Sequence, residues 1–363
     1  MAAVINRNRG VFLPFIHSAK TSFPDNFYSQ DQLIDQFRKI WKEKFHNFER
    51  IENFHKNVLV GGRHLALPLE DYPKKETFGQ KNDAWIEVAV NLADKAVKGL
   101  LESAEIDPSE ISMLTSTTVT GLAVPSLDAR LMNRIEFKHD LKRVPLFGLG
   151  CLAGAAGINR VCDYLEGHPK EAAILVAVEL CSLTVQLQDM SIANLVSSGL
   201  FGDGCAAVFM VGDEHPLAKK SKLRRIKEMS VFFPDTERMM GWDVIDTGFK
   251  VVLSSSVPDL VERELPGAVK RIKDLGQVSD RNIDFYISHP GGPKVLTAME
   301  SALGLSPDAL ELSWTGLKER GNMSSVSVLH VLEETLKRDI SGLGLISAMG
   351  PAFCAEFSLV EVV

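Results

Sequence analysis

The stretch VPLFGLGCLAGAAGINRV, residues 144–161, decides the class of fold. An apolar run ends in Gly148 and Gly150, and a helix-forming segment opens directly behind Cys151. Gly154 and Gly157 each cost ~1 kcal/mol against alanine inside a helix. A helix that keeps both beside Ala153, Ala155 and Ala156 is expected to pack very closely in the interior. The surrounding chain repeats the pattern. ISMLTSTTV (111–119), AAILVAVEL (172–180) and GCAAVFMVG (204–212) are short apolar runs. SLDARLMNRI (126–135) and SIANLVSSGLF (191–201) read as helices between them. Such alternation predicts an α/β fold with a mixed or parallel buried sheet.

Further out, residues 29–56 and 83–104 carry apolar side chains at three- and four-residue steps and are read as amphipathic helices. The charged run DEHPLAKKSKLRRIKEM (213–229) reads as a surface crossing. Beyond it the α/β pattern resumes: helices at 258–274, 294–303 and 325–337, a strand DFYISH (284–289), a loop at 320–324, and two closing strands, GLGLISAMG and AEFSLVEV. The chain thus reads as two α/β halves joined near residue 220.

The chain has 363 residues, 45% of them hydrophobic and 24% charged, which suits about two globular units. Forty basic against forty-seven acidic residues leave a net charge of −7, which disfavours nucleic acid as a partner. No run of ~18 apolar residues suggests a membrane span, and MAAVINRNRGVFLPFIHS (1–18) lacks the apolar core of a signal peptide. The five cysteines are odd in number and form no CxxC pair, which points to a reducing cytoplasm.

Three residues stand where an element meets a loop. Cys151 opens a helix, where the positive end of the macrodipole favours thiolate. His289 closes a strand before PGGP, and Asn322 lies in GNMSS before a helix. Taken singly, each has a plain structural reading: a buried packing thiol, a turn histidine, a capping asparagine. No GxSxG, GxxxxGK[ST], HExxH or GxGxxG motif competes with them. A thiol nucleophile with an imidazole and an amide donor serves two chemistries, papain-like hydrolysis and acyl transfer with decarboxylative carbon–carbon bond formation.

GLGCLAGAAG around Cys151, LFGDGCAAV around Phe201, HPGGP at His289 and GNMSS at Asn322 resemble, in order and spacing, the type III polyketide synthases, chalcone-synthase-like enzymes of the thiolase fold. The likeness runs from VGGRHLALPLEDY (60–72) to MGPAF (349–353). It implies two pseudo-equivalent α/β halves in a five-layered αβαβα arrangement, residues 1–220 carrying the nucleophile and 221–363 the histidine and asparagine. It also implies that Cys151 accepts an acyl group from acyl-CoA, with His289 pairing with the thiolate and lowering its pKa. His289 and Asn322 would then stabilise the enolate left when malonyl-CoA loses CO2. No metal or other cofactor is implied; the CoA thioesters are substrates. The family is homodimeric, so a dimer is expected here.

Phe201 matches the aromatic gate between CoA tunnel and cavity, and Val251 stands where a second gate aromatic is expected. Cys181 replaces a threonine of plant members, Thr184 follows it, and Trp242 occupies a place that is small in plant enzymes. ELCSLT (179–184) and MGWDVIDTGF (240–249) are similar to bacterial alkylpyrone and alkylresorcylic acid synthases, which implies a medium- or long-chain fatty acyl starter. Arg50 fits a basic CoA contact, while Asn47 and Phe54 stand where lysines are expected. The competing readings are a ketoacyl-ACP synthase III-like enzyme, set apart by its need for carrier protein, and a non-catalytic thiolase-fold scaffold, set apart by an unreactive Cys151.

Overall fold

A computed structural model describes residues 12–41 and 48–363. The first half contains β1 (Phe15–Ser22), β2 (Asn26–Ser29), α1 (Gln30–Trp41), α2 (Phe48–Asn57), β3 (Gly62–Leu65) and α3 (Phe78–Ala104). It continues with β4 (Ile111–Thr118), α4 (Leu127–Leu131), β5 (Lys142–Phe147), α5 (Ala153–Gly167), β6 (Ala172–Leu180), α6 (Ile192–Leu200) and β7 (Asp203–Val211). Then come β8 (Leu223–Phe232), a hairpin of β9 (Met240–Ile245) and β10 (Gly248–Leu253), α7 (Val257–Leu275), β11 (Phe285–Ser288), α8 (Pro293–Leu303), α9 (Glu311–Arg320), α10 (Ser325–Leu336), β12 (Leu343–Gly350) and β13 (Cys354–Val362).

Among the described residues, nine strands form one sheet in the order β11-β12-β13-β8-β1-β7-β6-β4-β5. The two runs of this sheet repeat a pattern. From β1 outward the pairings are antiparallel to β7, antiparallel to β6, then parallel to β4. From β8 outward they are antiparallel to β13, antiparallel to β12, then parallel to β11. The runs join where Phe15 and Ile16 pair with Arg224 and Leu223.

Helices cover both faces, which is why β6 and β7 are buried along their whole length and read as unbroken apolar runs. The layers are α3 on β1, β7 and β6; then the sheet; then α5 and α10 together, each touching both runs of strands; then the sheet again; then α7 on β8 and β13, with α8 beside it. This is the five-layered thiolase arrangement. The small residues of α5 do what their composition suggests. A Cβ on Gly154 would lie 2.3 Å from the Ser325 carbonyl oxygen of α10, and one on Gly157 would lie 2.6 Å from Leu175 of β6.

The structure departs from the sequence reading in several places. The charged run 213–229 is not simply a surface crossing, because its second part is β8, an interior strand paired to β1 and β13. Leu223 and Arg225 are buried there, and the Arg225 guanidinium is neutralised by Glu228, by Glu166 at 2.5 Å and by Asp163 at 3.3 Å. Charges that pair across elements can therefore lie in a strand that composition alone would send to solvent. Within 29–56 the described residues form two helices, α1 and α2. β1, the β9–β10 hairpin and α9 carry no periodicity strong enough to announce them.

Candidate active site

β5 ends at Phe147, and the chain turns through Gly148 (φ +91°) and Gly150 (φ +55°) into a single 3₁₀ turn, Gly150–Leu152, that leads into α5. Gly150 needs both its left-handed backbone and its missing side chain, since a Cβ would lie 2.6 Å from Pro351. Cys151 sits in this turn. The surrounding protein desolvates its sulfur and pushes the thiol up to about 11; the Ser324 hydroxyl, hydrogen-bonded to it, pulls the other way, while the nearby Glu179 charge adds to the rise. The lowered thiol pKa expected from the sequence is thus absent from the site as it stands.

His289 prolongs β11 by one residue, its N–H donating to the Ser347 carbonyl at 2.9 Å. The imidazole is buried, and neither ring nitrogen has a hydrogen-bond partner among the described residues. Burial pushes it down to about 4.

Asn322 is clasped from both sides. Its N–H donates to the Leu200 carbonyl at 2.9 Å, and its own carbonyl accepts from Gly202 N–H at 3.0 Å, so Phe201 bridges to it. Its amide is fixed as well. Nδ2 donates to the Gly291 carbonyl at 3.0 Å, and Oδ1 accepts from the Ser324 N–H at 2.8 Å. A carboxamide has two N–H groups, so this pairing leaves one for a ligand. Ser324 reaches both the Asn322 amide and the Cys151 sulfur from a left-handed backbone (φ +49°), a strained conformation for serine. The three residues expected from the sequence are therefore linked: Cys151 to Ser324, Ser324 to Asn322, and Asn322 to the loop that follows His289.

Two partners escaped the sequence reading, Ser324 and Glu179. Glu179 is buried near the end of β6 and accepts from Ser325 Oγ at 2.6 Å, Thr120 Oγ1 at 2.9 Å and Val119 N–H at 3.1 Å. Burial pushes its carboxyl up to about 7. The signal was present as the lone charged residue in AAILVAVEL.

The expected pocket residues divide. The Phe201 and Trp242 rings lie 6.4 Å apart between centroids, and Val251 pairs with Trp242 across the hairpin. Cys181 is buried close enough to Cys151 for their charges to interact, and the Thr184 hydroxyl donates back to the Cys181 carbonyl at 2.7 Å. A cavity of about 460 Å3 is bordered by Phe201, but Ser182 and Leu183 line it in place of Cys181 and Thr184, and Thr247 in place of Trp242 and Val251. Arg50 lies exposed on α2 with its guanidinium 5.5 Å from the centre of the Phe54 ring. Asn47 is outside the described residues. No helix among the described residues is long and apolar enough to cross a membrane.

Comparison with known proteins places this geometry in a family. Residues 62–230 match the FAE1/type III polyketide synthase-like proteins, and residues 225–363 match the C-terminal domain of chalcone and stilbene synthases. A 1,3,6,8-tetrahydroxynaphthalene synthase of Streptomyces peucetius is 42% identical over 98% of this chain and 94% of its own. A putative chalcone synthase of Bacillus subtilis is 34% identical over 96% of this chain and 98% of its own. The crystal structure of 1,3,6,8-tetrahydroxynaphthalene synthase from Streptomyces coelicolor superposes with a TM-score of 0.89 at 30% identity, over 96% of this chain and 99% of that one. With likeness of this extent in both sequence and fold, the chain belongs to the type III polyketide synthases, thiolase-fold acyltransferases that join CoA thioesters by decarboxylative condensation.

Proposed function

We propose that the protein loads a medium- or long-chain fatty acyl group from acyl-CoA onto Cys151, extends it with malonyl-CoA in repeated steps, and cyclises the product to an alkylpyrone, alkylresorcinol or alkylresorcylic acid. The observation that carries the chemistry is the hydrogen-bonded path from Cys151 through Ser324 and Asn322 to the His289 loop. His289 takes the Cys151 proton. Burial opposes either charge alone, but the resulting pair is net neutral and the two charges offset each other's desolvation. The thiolate attacks the acyl-CoA carbonyl, and CoA leaves as its thiol.

Malonyl-CoA then presents its thioester oxygen to His289 and to the remaining Asn322 N–H. The bond to the carboxylate carbon breaks, CO2 leaves, and the electron pair passes to that oxygen as an enolate. The enolate carbon attacks the acyl-Cys151 carbonyl, and the cysteine sulfur departs. In this reading Phe201, Cys181, Thr184, Val251 and Trp242 shape the chamber, and Arg50 receives CoA. A second copy completes the enzyme. β5 is the sheet's edge strand, and Phe147, Leu122 and Val124 stand exposed beside it, Val124 at 97%. The five free cysteines fit a cytoplasmic setting.

Two variants test the roles. Cys151→Ala should show no acyl-enzyme mass after incubation with acyl-CoA; a retained adduct would refute the nucleophile. Asn322→Ala should still load but decarboxylate malonyl-CoA ~100- to 1000-fold more slowly. A wild-type rate would overturn the donor assignment. The Streptomyces relatives' name supports a second reading, a tetrahydroxynaphthalene, whose ten carbons equal five two-carbon units and carry no alkyl tail. Mass spectrometry of products from malonyl-CoA alone and with fatty acyl-CoAs separates the two.

A further inference from the structure

A helix end leaves its last four carbonyls without partners inside the helix. At the end of α6 all four are taken. Ser197 accepts from the Phe201 N–H at 3.0 Å, and Leu200 accepts from the Asn322 N–H at 2.9 Å. Between them, the Ser198 carbonyl accepts from the buried guanidinium of Arg63. The Gly199 carbonyl accepts twice, from Arg63 at 2.8 Å and from the Gln30 side-chain amide at 3.0 Å. Asn322 thus hangs on the same turn that Arg63 and Gln30 grip.

The grip comes from outside α6, since Arg63 belongs to β3 and Gln30 opens α1. The guanidinium sits at the negative end of the α6 macrodipole, which favours a cation. Its stem runs along the bridge between Phe201 and Asn322. A Cβ on Gly202 would lie 3.3 Å from Arg63 Cβ, and one on Gly321 would lie 3.5 Å from Arg63 Cδ. Gln30 in turn fixes the arginine. Its Oε1 accepts from Arg63 Nη1, and its Nε2 donates to Gly199 and also to the His55 carbonyl of α2 at 2.7 Å. Its backbone N–H donates to the Gly61 carbonyl at 2.9 Å. The buried side-chain amide therefore commits both hydrogens and its oxygen to three separate segments.

We propose that Gln30 is a positioning residue for decarboxylation: acting through Arg63 and the end of α6, it holds Asn322 where the spare amide N–H meets the enolate oxygen. The proposal rests on Asn322 as the donor in that step and is independent of the starter acyl group. The hydrogen bonds of Gln30 run to His55, Gly61, Arg63 and Gly199 and not to Cys151 or Ser324, so the nucleophile keeps its geometry when Gln30 is changed.

The test uses Gln30→Met, which is of similar length without a polar head, and Gln30→Glu, which keeps an acceptor for Arg63 but loses both donors. Each is made in wild type and in Asn322→Ala. The kcat of malonyl-CoA decarboxylation should fall ~10- to 100-fold with KM unchanged, the scale expected when reacting groups are misplaced by about 1 Å. Labelling of Cys151 by iodoacetamide, which needs no substrate, should keep its wild-type rate and so report an intact fold. In the Asn322→Ala background neither substitution should slow decarboxylation further. Should Gln30→Met lose labelling, Gln30→Glu decides alone. The proposal is overturned by a wild-type kcat, by decarboxylation and labelling falling together in both variants, or by an equal loss with and without the Asn322 side chain. If Asn322→Ala itself decarboxylates at the wild-type rate, the donor assignment has failed, and this proposal with it.

Discussion

A carboxyl group near the end of an otherwise apolar strand, Glu179, faces the nucleophile and raises its pKa. Its own value, about 7, lies above the ordinary carboxyl range, so the folded chain holds the proton more tightly than the unfolded one. The associated stability is therefore present at low pH and is lost as pH rises towards about 7. Asp203, raised to about 6 by burial, adds a loss of the same sign. In urea unfolding between about pH 5 and pH 8, Glu179→Gln should lose less stability on raising the pH than wild type does. The same variant removes a negative charge near Cys151, so iodoacetamide should label Cys151 at lower pH than in wild type. An unshifted labelling profile would show that the carboxylate does not act on the thiol. The sequence exposes Cys151, His289 and Asn322 because each closes or opens an element. It conceals the work of Glu179 because Ser325, its partner, is 146 residues away.

At the scale of elements, α5 and α10 meet at a distance that only glycine permits. Gly154→Ala pits two effects against each other. Alanine gains ~1 kcal/mol of helix propensity, but its Cβ would sit 2.3 Å from a backbone oxygen that cannot turn aside. Overpacking costs typically ~1–3 kcal/mol. The expected result is net destabilisation, seen as a lower urea midpoint, together with slower acyl loading, because α10 follows directly on Ser324. A variant as stable as wild type would mean that the helices can separate freely. Small residues in one helix are legible in a sequence; the partner they make room for is not. β8 shows the converse, since a run of lysines and arginines carried no hint that Asp163, Glu166 and Glu228 would surround Arg225.

For the whole molecule, the exposed edge at β5 makes a prediction about assembly. Strand edges that are left open invite pairing, and Val124 with Phe147 offers apolar surface beside this one. Sedimentation of the wild type should give a dimer, and Val124→Asp combined with Phe147→Asp should give a monomer with a native-like circular dichroism spectrum. A monomeric wild type would sink the proposed assembly.

The sequence by itself determined the α/β class, the family, and the three residues at element boundaries. Apolar periodicity, glycine turns and ordered motifs are local properties that survive without coordinates. Tertiary structure alone decided the rest: that Ser324 joins Cys151 to Asn322, that burial pushes the thiol up and the imidazole down, and that Leu183 rather than Cys181 faces the cavity. Each of these depends on distance and desolvation between segments far apart in the chain, and no local pattern encodes either.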